Sequence, residues 1–275
     1  MRFSRVYLEI TNLCNLRCGF CPGTERQPQF LSAGDFETLL QKLRGYTDYL
    51  CFHLMGEPLL HPALSTLLSL ADRYGYYVNI TSNGVLLPQA EDVLLSFRNL
   101  HRFNISLQAW EGNGCVWDVN DYVNSCADFA KRAAAKGILV SLRLWNGAAV
   151  GNEALIAALR AAFPAPWRKA QKNTALAERV FLEQAERFDW PDARGPARGA
   201  TFCRGLRDHI GVLCDGTVVP CCLDSDGTIA LGNLFESSLE EILDTPRARA
   251  IYDGFSRRAP SEPLCRRCGY AERFG

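Results

Sequence analysis

The amino-acid sequence predicts an α/β fold, a partial (β/α)6 barrel followed by a small C-terminal domain made of a β-hairpin and a helix. Three observations predict it. Over residues 1–190, β-rich runs alternate with helical patterns, an order that favours a parallel sheet covered by helices. Residues 191–202 are rich in Gly, Pro and charge and read as a linker. Residues 203–275 hold six of the twelve cysteines in a loop-rich stretch with little apolar material, which calls for a metal staple.

The elements follow in order. Strands are expected at Val6–Ile10, Tyr49–Leu54, Tyr77–Thr81, His101–Leu107, Ile138–Leu144 and Val180–Leu182 from their β-branched, aromatic and apolar content. Ser32-Ala-Gly-Asp35 starts a helix through Leu43. Pro62 suits the first turn of a second helix, stopped by Gly75. Asp121–Lys136, ended by Gly137, and the Ala- and Leu-rich Asn152–Ala162 are further helices. Right-handed crossovers curl such a run into a complete or partial TIM-like barrel. Segment 163–178 shows no clear pattern. In the tail, His209–Leu213 and Thr217–Pro220 flank Asp215-Gly216, a two-residue hairpin signal, and Ser237–Asp244 reads as a short capped helix.

Hydrophobic residues make up 48% of the 275, enough for a large core, and the formal net charge is zero. With no basic excess, no nucleic-acid partner is expected. Met1 to Arg5 run directly into the first strand, without an apolar leader or any run of 18 apolar residues, so no membrane is expected and the compartment is expected to be the cytoplasm. Twelve cysteines in a reducing compartment point to metal or redox chemistry rather than disulfides.

Cys14, Cys18 and Cys21 form a C-x3-C-x2-C triad with Phe20 before the last cysteine. An ordinary [4Fe–4S] cluster takes four cysteines. Three leave one iron open, and an open coordination position is where chemistry happens. Structural zinc prefers four ligands, and the next candidates, Cys51 and His53, are distant in sequence. Polar groups also follow the next strands: Met55-Gly56-Glu57-Pro58, Ser82-Asn83-Gly84, Ser106 with Gln108, and Arg143 with Asn146. Each alone reads as a turn or a strand end. Their coincidence at five successive strand ends, where barrel enzymes keep their working residues, points to one site.

On these residues the chain resembles the radical S-adenosylmethionine (SAM) superfamily from residue 5 to about 183. It departs from the family pattern at Met55, where a first glycine is usual, which alters how closely the backbone can approach. The resemblance implies that Cys14, Cys18 and Cys21 bind three irons and that SAM chelates the fourth. It places Phe20 near the adenine and assigns the SAM amine to Gly56 and Glu57. Ser82, Asn83 and Ser106 are candidates for the ribose and carboxylate, and Arg143 for the carboxylate. No catalytic residue is singled out.

In the tail, Cys265-x2-Cys268 is a metal pair, and a hairpin brings Cys203 together with Cys221 or Cys222. Here the chain resembles the shortened SPASM, or twitch, domain. By likeness in spacing to the antibiotic-pathway amino-sugar dehydrogenases of that group, Cys203, Cys221, Cys265 and Cys268 are assigned to one auxiliary [4Fe–4S] cluster, with Cys222 the alternative to Cys221. Cys51, Cys115, Cys126 and Cys214 are expected to be buried thiols.

The expected reaction is reductive cleavage of SAM to a 5′-deoxyadenosyl radical and hydrogen abstraction from substrate, with a fully ligated auxiliary cluster favouring two-electron oxidation. An external reductant such as flavodoxin or ferredoxin is implied. Only 13 residues precede Cys14, too few for a peptide-recognition domain, so the substrate is expected to be a small molecule or short peptide. Gln108, Trp110, Trp145, Asn146, Glu183, Gln184 and Trp190 are candidate pocket residues. The alternatives are a peptide- or protein-modifying maturase, a non-catalytic electron carrier, and a zinc-binding tail.

Overall fold

A computed structural model describes residues 2–147, 149, 151–198 and 202–274, so part of the expected linker, residues 199–201, lies outside the described residues. The chain packs as two compact units. One comprises Met1–Leu13, Pro22–Gly56 and Phe188–Gly275, and the other Cys14–Cys21 and Glu57–Arg187.

In the first unit, β1 (Arg5–Leu8) pairs in parallel with β2 (Tyr49–Phe52), the connection being helix α1 (Ala33–Lys42). Ser32 starts α1 as the sequence predicts: its hydroxyl accepts the Asp35 N–H, and Phe36, Leu39 and Leu40 are buried. The tail adds β9 (His209–Val212), parallel to β1, then β10 (Thr217–Val219) antiparallel to β9 and β11 (Gly232–Asn233) antiparallel to β10. The expected hairpin forms, but its turn is shifted. Gly216 N–H donates to Leu213 O, which makes Cys214 and Asp215 the central residues of the turn and leaves Gly216 at φ +83°, the left-handed third residue of a three-residue hairpin loop. Helix α7 (Leu239–Leu243) carries a capping box between Ser238 and Glu241. A second tail helix, α8 (Pro246–Ser256), was not expected; Thr245 caps it and Pro246 fills its first turn.

In the second unit, β3 (Tyr77–Ser82), β4 (Leu100–Ser106), β5 (Leu139–Leu144) and β8 (Val180–Gln184) run parallel in that order. Helix α2 (Leu64–Arg73) precedes β3, and α3 (Leu87–Ser96), α5 (Val119–Ala135) and α6 (Asn152–Ala162) supply the crossovers. The unassigned segment 163–178 is a hairpin, β6 (Arg168–Ala170) and β7 (Asn173–Ala177), on the edge of β8. Its two-residue turn places Gln171 at φ +53° without a glycine or asparagine to announce it.

The core of this unit is apolar: Phe103 of β4 meets Phe129 of α5 edge-on at 4.7 Å, and both are buried. Cys51, Cys126 and Cys214 are buried as expected, whereas Cys115 is exposed in a left-handed turn at φ +58°. Among the described residues, no helix is long and apolar enough to cross a membrane.

Candidate functional site

The cysteine triad lies on an irregular loop whose approach is held by a glycine. Gly56 sits at φ +75°, and a Cβ there would stand 2.4 Å from Thr11 O and 2.8 Å from Leu13 O. The backbone after β2 therefore touches the backbone that leads into the loop. Met55, in place of the usual glycine, is buried, and its N–H donates to Glu9 Oε1 at 3.3 Å.

Glu57 is 2% exposed, and its carboxylate accepts the N–H groups of Leu59 (3.0 Å) and Asn83 (2.8 Å) and the Ser82 hydroxyl. Burial pushes its pKa up to about 7 against those donors, which by themselves would lower it. Ser82, which also accepts the Gly84 N–H at 3.0 Å, serves Glu57 rather than standing open for a ribose. Asn83 reaches the triad loop: its Nδ2 donates to Asn15 Oδ1 at 2.8 Å and lies 4.0 Å from Cys14 Sγ.

Ser106 and Arg143 face each other in register across β4 and β5. Arg143 is paired, with Nε 3.0 Å from Glu183 Oε2 and its guanidinium over the Trp145 ring at 4.7 Å. Glu183 also accepts Ser141 Oγ (2.8 Å) and meets Arg102 Nη1 (3.4 Å), so it is a structural partner of Arg143. Several other pocket candidates are likewise committed. Trp110 donates to Trp117 O and packs on Gly151, Asn146 pairs with Asn152, and Trp190 packs on Phe188 at 5.4 Å. Gln184 is exposed at the end of β8. Gln108 differs: it is 8% exposed, and its Oε1 is a buried acceptor with no hydrogen-bond partner among the described residues. A buried orphan acceptor just past the end of β4 fits a ligand there.

Sequence reasoning missed two features. Asn113 and Gly112, which follow β4, contact the triad loop directly: Gly19 N–H donates to Gly112 O at 2.8 Å. Glu9, fully buried just past β1, forms a two-pronged ion pair with Arg26 at 2.8 and 2.6 Å, and Arg26 Nε donates to Ser225 O at 2.9 Å. Both depend on residues far apart in the chain.

In the other unit, Cys203, Cys221, Cys265 and Cys268 line one cavity together with Gly205 and Pro220. The hairpin brings Cys203, ahead of β9, beside Cys221, after β10; a single 3₁₀ turn presents Cys265 and Cys268. Burial pushes the Cys203 thiol up to about 11 and raises Cys221 and Cys265 well above the ordinary value, with the neighbouring thiols adding to the rise. Thiols that resist ionising because they are buried, and further because they neighbour one another, fit a group that supplies positive charge. Cys222 turns elsewhere. It is hydrogen-bonded to Tyr7 and packs with it against Leu54, Leu213 and Val219. Among the described residues, no three His, Cys, Asp or Glu side chains converge on a single-ion position.

Comparison with known proteins follows these two cysteine sets. The model of the radical SAM superfamily matches residues 8–142, and that of SPASM, an iron–sulfur cluster-binding domain, matches residues 203–269. A GTP 3′,8-cyclase from Chlorobaculum tepidum is 35% identical over 114 residues, 38% of this chain, and the match spans 34%, about a third, of that relative's length.

Among solved structures, BtrN in complex with AdoMet and 2-DOIA has a TM-score of 0.62 at 18% identity, over 98% of this chain and 94% of that one. Native anSMEcpe with bound AdoMet scores 0.63 at 14% identity, over 98% and 90%. Streptococcus suis SuiB bound to S-adenosylmethionine scores 0.55 at 16%, over 90% and 67%. These likenesses concern the fold, α/β with a parallel sheet. The first family carries a [4Fe–4S] cluster and SAM, and the second auxiliary iron–sulfur clusters. The chain belongs to the radical SAM superfamily and ends in a SPASM-type iron–sulfur domain.

Proposed function

We propose that the chain abstracts a hydrogen atom from a small-molecule or short-peptide substrate and completes a two-electron oxidation through one fully ligated auxiliary cluster. The observation that carries this reading is the cavity lined by Cys203, Cys221, Cys265 and Cys268, with Cys222 turned to Tyr7. Four thiols complete a cubane. A cluster without an open iron accepts an electron but does not bind substrate. The proposed organisation is a core over residues 1–190, a linker over 191–202 and the auxiliary domain over 203–275.

When bound at Cys14, Cys18 and Cys21, the first cluster and SAM supply a 5′-deoxyadenosyl radical on reduction by a flavodoxin or ferredoxin. The chain's own residues bind and orient. The Gly56 backbone and the Glu57 carboxylate receive the SAM amine, and Ser82 and the Asn83 N–H hold that carboxylate in place. Asn83 and Ser106 serve the ribose and carboxylate. Arg143, held by Glu183 at 3.0 Å, serves the carboxylate. Phe20 lies against the adenine, and Gln108 offers its orphan oxygen to the bound molecules.

The likeness to anSMEcpe, also solved with bound AdoMet and Kp18Cys peptide, favours a second reading as a peptide-modifying enzyme. Anaerobically reconstituted protein, reduced in the presence of SAM, tests both. Formation of 5′-deoxyadenosine is expected, and its absence contradicts the reading. Deuterium passing into it from a labelled small molecule supports the first reading, and from a labelled peptide the second.

A further inference from the structure

The short helix α4 (Ala109–Gly112) follows β4, and its end grips the triad loop through side chain and backbone. Gly112 O accepts the Gly19 N–H at 2.8 Å, and the Phe20 ring lies so close on Gly112 that a Cβ there would stand 2.4 Å from its Cε1. Glu111 holds Arg187 at 2.8 Å, and the Arg187 guanidinium lies 5.4 Å from the centre of the Phe20 ring.

Asn113 makes the contact with chemical consequence. Its Oδ1 accepts the Arg17 N–H at 3.3 Å, and its Nδ2 donates to Ala109 O at 2.7 Å and to Cys18 Sγ at 3.1 Å. The Arg17 N–H can only donate and the Ala109 carbonyl can only accept, so the two backbone groups fix which way the carboxamide faces. The second N–H is thereby aimed at sulfur. At Cys14 the contacts are longer, 3.5 Å from Leu16 N and 4.0 Å from Asn83 Nδ2.

We propose that Asn113 is a positioning residue that raises the reduction potential of the cluster held by the triad, an inference that rests on Cys18 being one of its ligands. Reduction adds negative charge to the cluster and its sulfurs. A donor aimed at one sulfur stabilises the reduced form more than the oxidised form and makes electron entry easier. The same contact orders the loop before iron arrives, as partners behind metal ligands do.

A redox titration of the reconstituted full chain, followed through the EPR signal that changes on adding SAM, tests this. Asn113→Leu, close in shape but without a donor, is expected to lower the reduced-to-oxidised ratio at fixed potential about tenfold, the worth of one hydrogen bond to a charged group, or about 59 mV for a one-electron couple. Asn113→Asp, which puts a negative charge at the sulfur, lowers the ratio further. The auxiliary signal stays unchanged in both. A ratio equal to wild type in either variant that retains its triad cluster overturns the proposal. If neither variant retains it, the wild type decides: deuterium ENDOR of the reduced cluster after exchange into heavy water shows an exchangeable deuteron near sulfur, and its absence overturns the proposal. A wild-type protein with no SAM-responsive cluster refutes the ligand assignment instead, and the proposal with it.

Discussion

At Gly56 the consequence of one added carbon can be read from two distances. Its φ of +75° costs an alanine about 1–2 kcal/mol, and the new Cβ meets Thr11 O at 2.4 Å, which backbone must move to relieve. Gly56→Ala is expected to lower the melting temperature by at least about 2 °C, at roughly 2–4 °C per kcal/mol for a chain of about this size. It is also expected to weaken SAM binding in equilibrium dialysis, because the entry to the triad loop shifts. Unchanged melting and unchanged affinity would contradict the packing described. Gly56, Glu57, Ser82 and Asn83 were legible in the sequence because each stands within a few residues of a strand end, where position alone reveals its place. Asn113 was not, because its partner Cys18 lies 95 residues away and only the fold brings them together. Ser82 shows the limit from the other side: its location was legible, but its bond to Glu57 was not.

Among the elements, β9 beside β1 has a titration consequence. His209 on β9 packs edge-on against Tyr7 of β1 at 5.4 Å, and burial, with Arg5 adding its charge, lowers its pKa from 6.5 to about 4. The unfolded chain takes up a proton as pH falls below about 6.5, while the folded chain refuses it until about 4. Stability from this group is therefore full above the unfolded value and is lost as pH falls through that window, by about 2 kcal/mol between pH 7 and pH 5. His209→Phe should flatten that part of the pH profile of urea unfolding; a profile as steep as wild type would count against the burial of a neutral imidazole. That β9 would lie parallel to β1 was not legible, because the hairpin signal concerns only β9 and β10. Helix α8 has a readable start in Thr245-Pro246, and α3 likewise has Pro88 in its first turn. The β6–β7 hairpin had no such sign, since Gln171 takes the left-handed conformation that asparagine or glycine would have announced.

For the whole molecule, the two cysteine sets belong to different compact units. The triad loop Cys14–Cys21 packs with Glu57–Arg187, while Cys203, Cys221, Cys265 and Cys268 belong with Phe188–Gly275 and the N-terminal strand pair. Each set therefore lies on its own compact unit. Spacing alone identified the triad and the Cys265–Cys268 pair. Likeness in spacing put Cys221 ahead of Cys222; what the sequence did not reveal is that these adjacent residues leaving a strand point opposite ways, Cys221 to the cavity and Cys222 to Tyr7. On the proposed reading the two sets hold separate iron–sulfur centres, one of them complete in its own thiols. The most direct test is the iron and sulfide content of anaerobically reconstituted protein carrying Cys14→Ala, Cys18→Ala and Cys21→Ala together. About four irons and four sulfides per chain are expected to remain, the content of one cubane; a protein that holds none, or that holds zinc in the tail instead, would contradict the account.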